Sequence, residues 1–258
     1  MNDKATGRHR QPPEPPRQRA SSCLTCPAFA GTLWEALPAA DVRALDAAKT
    51  THHFRRGAEV FAEGDPAGGV WCVGAGLLCI RRRNSAGTAV PIRLRRPGAV
   101  LGLRAFIRGG PFQATAETLA PARICFVAAA NVRSLLSRNL DLALAMVRGL
   151  IEELSALEHR LMTVRPITPR TRLAALLLEI AGDLGLRARE NALVMRLPLP
   201  LADIASIIGV TLPIAAGSLA ELADDGIVTI TGRRLEILSL ERLRAVAGAS
   251  PPGLAAGY

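Results

Sequence analysis

Lysine is almost missing from this 258-residue chain. Lys4 and Lys49 are the only two among 32 basic residues, so the formal net charge of +10 is an arginine charge. Long apolar runs are missing as well. None approaches the ~18–20 residues that a membrane-spanning helix needs. Residues 1–22 are polar and proline-rich (Pro12, Pro13, Pro15, Pro16) and lack the apolar stretch of a secretory signal. These absences predict a soluble, cytoplasmic protein with no membrane partner. The five cysteines (Cys23, Cys26, Cys72, Cys79, Cys125) do not make an even disulfide set. Metal binding, redox sensing or plain burial remain for them. No phosphate-cradling loop and no nucleophile–base motif is present. His52 and His53 are adjacent, so on a strand they point to opposite faces and form no metal pair. No enzyme is expected.

What is present supports a folded chain. At 49% hydrophobic it can bury a core, and its length allows one large domain or two modest ones. Residues 1–22 read as a disordered, weakly basic tail. Residues 34–48 have helical spacing through Trp34, Leu37, Val42 and Leu45. From 51 to 128, short apolar or alternating runs are punctuated by Gly57, Gly64-Asp65, Gly76, Gly87, Pro97-Gly98 and Gly109-Gly110. That pattern predicts a compact β domain over 23–138. In 139–164, Leu140, Leu144, Val147, Ile151, Leu154 and Leu161 recur at steps of three and four, interrupted by Glu158. A seam this long predicts a dimerisation helix over 139–166, against the plainer reading of a helix packed on its own β domain. Pro166 and Pro169 break it.

Residues 167–246 read as a second, smaller domain, followed by a flexible tail over 247–258. Residues 172–180 are helical in pattern. Then come 201–208, the turn Gly209-Val210-Thr211, and a second helix over 212–223. Ala205 and Gly209, four apart, suit a helix crossing and a tight turn, as in a helix-turn-helix. Beyond Gly226, 227–231 and 234–238 flank Gly232 as a two-stranded wing. The predicted class is α+β: an N-terminal all-β barrel or sandwich, a long dimerisation helix and a C-terminal winged helix-turn-helix.

That order of parts resembles the Crp/Fnr superfamily of transcription regulators. The run "FRRGAEVFAEGDPAGGVWCVGAGLLCIRRRNSAG" has the superfamily's glycine spacing, and "RRPGAVLG" looks like its next turn. "RLPLPLADIASIIGVT" is similar to the entry into the helix-turn-helix in the oxygen-responsive Fnr-like branch. The resemblance implies a dimeric DNA-binding regulator whose N-terminal β domain is a β-roll of cyclic-nucleotide-binding type. Its implied partners are double-stranded DNA, a second copy of the chain, and RNA polymerase or a related regulator. Cyclic-nucleotide sensing is not expected. Leu103 follows Gly102 where the binders carry a ribose-binding glutamate, and Phe112-Gln113-Ala114 offers no arginine for the phosphate.

Iron–sulfur members of the superfamily use a C-x-x-C pair, a third cysteine six residues later, and a fourth in a late β-roll strand. Cys23, Cys26 and Cys125 match three of these positions, while the third falls on Thr32. Three readings stay open. One is a [4Fe–4S] cluster with an unusual fourth ligand, such as a carboxylate, His52, His53 or another cysteine. Another is a redox dithiol or zinc site. The last is the relic of a lost cluster. Cys72 and Cys79, in apolar strand runs, read as buried small hydrophobes.

The second helix of the motif is chemically blank. Where the resemblance places a Glu, a Ser and an Arg for base readout, this chain has Pro213, Ala216 and Gly217. Residues 212–223 contain no Lys or Arg. Thr211 can cap the helix, and Pro213 is tolerated in the first turn. Candidate DNA contacts are therefore Arg170, Arg172, Thr211, Leu212, Pro213, Ala216, Gly217, Arg233 and Arg234. Nine arginines and nine acids leave 167–246 with net charge 0, while 23–166 carries +7. The alternative to DNA-binding regulation is a degenerate member that acts by protein contact or heterodimerisation. A last candidate patch is Arg81, Arg82, Arg83, Arg93, Arg95 and Arg96, flanking the turn at 84–87. It reads as a solvated basic edge or as an anion or partner site.

Overall fold

The computed structural model describes residues 22–162, 168–184, 186–189 and 192–248. The expected tail before residue 22, the Pro166 break and most of the C-terminal tail lie outside these residues.

After short 3₁₀ turns at Cys23–Thr25 and Leu33–Ala36 comes α1 (Ala39–Ala48). Pro38 stands at its N-terminus, so the helical spacing expected over 34–48 is split in two. The β domain follows: β1 (Thr50–Phe54), β2 (Glu59–Phe61), β3 (Gly69–Ala75), β4 (Leu78–Arg83), β5 (Ala89–Arg95), β6 (Val100–Leu101), α2 (Leu103–Arg108), β7 (Thr115–Thr118), β8 (Ala122–Ala128) and α3 (Ala129–Leu136). One sheet runs β1-β8-β3-β6 and the other β2-β7-β4-β5. Phe54, Val73, Ile124 and Leu101 from the first meet Leu78 and Ala116 from the second in a shared core.

Alternation along the strands decides the rest. On the first sheet, Val70 and Val127 face away from that core. They pack with Trp34, Leu45, Leu135, Leu142 and Met146 under the covering helices. On the second sheet, Cys79 and Leu94 face away and join a core made mainly of the C-terminal domain. Gly69 is required where β3 begins, because a Cβ there would meet the Val127 carbonyl oxygen at 2.1 Å.

α4 (Leu140–Met162) is one helix of 23 residues. Its two sides differ. Leu142 and Met146 are buried on the β domain, while Leu140 (73% exposed), Leu144, Val147, Leu150, Ile151 and Leu154 face outward. The Leu161 side chain is outside those described.

The C-terminal domain contains α5 (Pro169–Leu184), the hairpin β9 (Leu186–Arg189) and β10 (Ala192–Arg196), and α6 (Leu201–Ile208). These are followed by α7 (Leu212–Asp224), β11 (Val228–Thr231), β12 (Arg234–Ile237) and α8 (Leu240–Ala247). The β9–β10 hairpin and α8 were not apparent from sequence pattern. Strand β10 extends the wing into a sheet of order β11-β12-β10-β9. Ala205 is buried at the helix crossing, and Gly209 ends α6 at φ 70°, a left-handed conformation that favours glycine. No single described helix is long and apolar enough to cross a membrane.

Candidate functional site

Three places carry chemistry. The first is the helix-turn-helix. α6 and α7 lie at 99° to each other, within the range of the motif. Ala215, Ser218, Leu219 and Leu222 form the buried face of α7. Its outward face presents Leu212, Pro213, Ile214, Ala216, Gly217 and Ala220, with Glu221 the first charged residue along it. Thr211 stands at the helix N-terminus in extended conformation, yet its hydroxyl makes no capping hydrogen bond, contrary to the expected cap.

The cations expected to help are mostly engaged inside the chain. Arg172 donates from Nη1 to the Ile208 carbonyl at 2.7 Å, closing the C-terminus of α6. Arg170 pairs with Asp225 and lies 3.9 Å from Glu221. Arg233 donates twice to the Leu197 carbonyl, at 3.2 and 2.7 Å. Arg234, opposite Arg196 in the wing, is exposed.

The second place is the arginine hairpin, which the structure divides. Arg81 turns toward the C-terminal domain and bridges Glu117 (2.8 Å) and Asp203 of α6 (2.9 Å). Two further hydrogen bonds cross the same junction. Ser206 Oγ donates to the Pro91 carbonyl at 3.3 Å, and Arg56 to the Pro198 carbonyl at 3.1 Å. Arg83 holds the Gly87 carbonyl at 3.1 Å. Arg82, Arg93 and Arg95 instead line a cavity of about 230 Å³ with Arg104, Gln113 and Leu150 of α4. Arg96 lies near Gly182 of α5. The six arginines therefore form no single patch.

The third place is the cysteine pocket. Cys23, Cys26, Cys72 and Cys125 line one small apolar cavity of about 40 Å³ together with Thr32, Phe29, Trp34 and Lys49. Cys72 on β3 and Cys125 on β8 are Cα partners across the antiparallel pair. Residues directly opposite share a face, so both side chains point out of the sheet toward the N-terminal turn. Cys72 packs partly buried on the core under the covering helices, in keeping with the reading of a small hydrophobe. It alternates with Val70 away from the inner core that holds Val73, which also brings it to the pocket. Cys79 is fully buried among C-terminal-domain residues, as expected. The missed signal was the strand register, which sequence periodicity alone does not supply.

Three of the four sulfurs accept from another side chain, and the fourth, on Cys125, meets the Thr51 hydroxyl in a contact where either group can donate. Trp34 Nε1 lies 3.1 Å from Cys72 Sγ, and Lys49 Nζ 3.4 Å from Cys23 Sγ. Arg123 Nη2 lies 3.7 Å from Cys26 Sγ, and Thr51 Oγ1 3.6 Å from Cys125 Sγ. Burial, opposed by Lys49, pushes the Cys23 thiol up to about 11. Burial, opposed by the Trp34 N–H, pushes Cys72 up to about 12. Asp46 secures the Cys23 end. It accepts from the Cys23 backbone N–H at 2.7 Å and pairs with Lys49. Despite partial burial, those contacts hold its carboxyl at about 2. His52 lies elsewhere, with its ring against Trp71, and burial lowers its basicity. No histidine or carboxylate is among the residues lining the pocket. Among the described residues, no three His, Cys, Asp or Glu side chains converge closely enough to hold a single metal ion.

Comparison with known proteins agrees with this architecture. Residues 51–139 match the family of the cyclic nucleotide-binding domain, and residues 171–246 the Crp-like helix-turn-helix domain. The global nitrogen regulator of Synechocystis sp. is 26% identical over 190 residues, covering 71% of this chain and 82% of that protein. The CRP-like cAMP-activated global transcriptional regulator of Mycobacterium tuberculosis is 26% identical over 190 residues, covering 74% and 84%. Among solved structures, a CRP/FNR-family transcriptional regulator from Thermus thermophilus superposes with a TM-score of 0.62. It is 26% identical and covers 78% of this chain and all of that one. A roll of two sheets, a long helix with a bare apolar side and a helix-turn-helix with its wing thus have one common explanation: the chain belongs to the Crp/Fnr superfamily and is a Crp-like transcription regulator with a helix-turn-helix DNA-binding domain.

Proposed function

We propose that the chain acts as a homodimer that binds double-stranded DNA with little direct base readout, and that its signal is read at the cysteine pocket rather than by a cyclic nucleotide. The observation that carries the dimer is the outward side of α4. Six large apolar side chains from Leu140 to Leu154 lie exposed on a helix whose other side is already packed. Monomers rarely leave so long an apolar stripe in water. A second copy covers it at the spacing of a coiled-coil seam.

The DNA surface is α7 with Arg234 and the surrounding backbone. Apolar and backbone contacts along Leu212, Pro213, Ala216 and Gly217 position the domain but carry few hydrogen bonds to base edges. Signal reading at the cysteines is supported by the shared packing of Trp34. It donates to Cys72, and the Leu33–Ala36 turn that carries it packs against α4. A change in the pocket is therefore felt at the dimer helix.

The 230 Å³ cavity is lined by four arginines and no carboxylate, so it offers cations for an anion but no carboxylate acceptor for a ribose hydroxyl. Gel shift against genomic fragments at two salt concentrations, paired with sedimentation, tests the proposal. The expected result is a dimer that retards DNA at low salt, with weak sequence preference and no change on adding cAMP. A dimer that retards no DNA favours the second reading, protein contact with another regulator. Its own support is the apolar α7 face and the internal engagement of Arg170, Arg172 and Arg233.

A further inference from the structure

We propose that Cys72 is the fourth cysteine ligand of an iron–sulfur cluster held by Cys23, Cys26, Cys72 and Cys125, taking the place that Thr32 leaves vacant. The inference rests on the reading that the cysteine pocket is the signal site. It adds which residues hold the group.

The donor set fits. Four thiols from three separate segments line one cavity, and thiolates are the usual iron ligands of such clusters. Thr32 lines the same cavity, so the residue where the third cysteine was expected and the cysteine proposed to replace it face one space. The register explains how the exchange works: Cys72 is the β3 residue opposite Cys125. In the proposed ligand set, a ligand on the N-terminal turn is traded for one on the sheet that lines the same cavity. The cavity, at about 40 Å³, is also several times the ~10–15 Å³ that one water requires.

Among the described residues no three His, Cys, Asp or Glu side chains are placed to hold a single metal ion, so the four thiols form no closed mononuclear site. A [4Fe–4S] core would take one thiolate from each cysteine. Lys49 and Arg123 bring two positive charges to an assembly that four thiolates make anionic. Trp34 donates to Cys72, and the Thr51 hydroxyl lies 3.6 Å from the Cys125 sulfur. Donors to sulfur, cluster charge and limited solvent access are the levers by which a protein tunes such a centre. Cys79 supplies the internal contrast. It sits outside the cavity, its thiol lies 3.9 Å from the Ile80 carbonyl, and burial pushes it up to about 12.

The test uses the full-length protein, purified without oxygen and reconstituted with ferrous iron and sulfide. Iron, acid-labile sulfide, visible absorbance and Mössbauer spectra are recorded without DNA. The wild type is expected to carry four irons and four sulfides per chain, as a [4Fe–4S] core requires. Cys72→Ser should lose at least about tenfold in retained iron, or fall to a three-iron species, while Cys79→Ser retains the full content. Adding Thr32→Cys to Cys72→Ala should restore loading, which a merely folding-defective variant would not show. A near-wild-type melting temperature in Cys72→Ser separates ligand loss from unfolding. If Cys72→Ser loads the same cluster with the same spectrum, the ligand assignment is overturned while the pocket remains a signal site. If the wild type binds no iron–sulfur, or takes up zinc alone, both the assignment and the cluster are overturned.

Discussion

The cysteine pocket and α7 depart from the family pattern in opposite directions. At the pocket a position emptied in sequence, Thr32, is matched by a residue 40 positions on, Cys72, that the sheet brings to the same cavity. At α7 the emptied positions Pro213, Ala216 and Gly217 find no such replacement. The arginines closest in sequence and space are turned inward to Ile208, Asp225 and Leu197 carbonyl or carboxylate oxygens. Under the proposed ligand set, the first site keeps its chemistry and changes its address. Under the proposed weak base readout, the second keeps its shape and gives up its chemistry. Charge follows the same division, with +7 in 23–166 and 0 in 167–246.

Restoring a base-reading side chain to α7 is the sharpest way to break this contrast. Gly217→Arg places a guanidinium where a Cβ meets nothing within 4 Å. A bidentate contact to guanine is worth about 1–3 kcal/mol, so affinity for a guanine-containing site should rise roughly 10- to 100-fold. The slope of log affinity against log salt should steepen by about one phosphate's worth if the new cation lands on the backbone instead. Removing an interior helix glycine also stabilises the helix by roughly 0.5–1 kcal/mol, visible in thermal melts. Unchanged affinity on every sequence would mean that α7 does not approach the groove, and the protein-contact reading would gain.

How much of this was legible in advance differs between the two regions for a physical reason. α7 is local: its span, its glycine-turn boundary and its lack of donors all follow from consecutive residues, and the structure changes only one end by a single residue, to Asp224. The wing was legible for the same reason, since Gly232 turns at φ 60° between β11 and β12. The pocket is non-local. Cys23, Cys72 and Cys125 are joined only through the β3–β8 register, and a one-residue slip would send Cys72 to the inner core. The internal use of Arg170, Arg172 and Arg233 was equally hidden, because composition reports an arginine but not its partner. The β9–β10 hairpin and α8 were missed because they are short: four, five and eight residues hold too few repeats to establish a period.

The junction between the regions gives the next expected effect. Arg81 leaves the hairpin and holds both Glu117 on β7 and Asp203 on α6, with all three side chains largely shielded from solvent. Arg81→Ala strands two partly buried carboxylates, at a cost of about 1–3 kcal/mol. Chemical denaturation should show the lost stability. If the domains separate, two transitions should replace one. Arg82→Ala serves as the comparison, since Arg82 faces the cavity on the other side of the same strand and leaves the junction intact. Equal losses in the two variants would show that Arg81 is not special to the junction.

The smallest effect is expected at Thr211. A threonine at a helix N-terminus ordinarily stabilises by about 1 kcal/mol through its side-chain oxygen. Here that hydroxyl accepts nothing from the first turn of α7, and the residue is exposed. Thr211→Ala should therefore change stability by less than about 0.5 kcal/mol, the range of ordinary surface substitutions. Ser239 is the matched control, because its hydroxyl does accept from Arg242 N at 3.2 Å at the start of α8. Ser239→Ala should cost about 0.5–2 kcal/mol. With stability nearly unmoved at Thr211, any fall in DNA affinity in Thr211→Ala reports the hydroxyl's contact with the nucleic acid. Thr211 then becomes the hydroxyl that the N-terminal end of α7 offers to DNA.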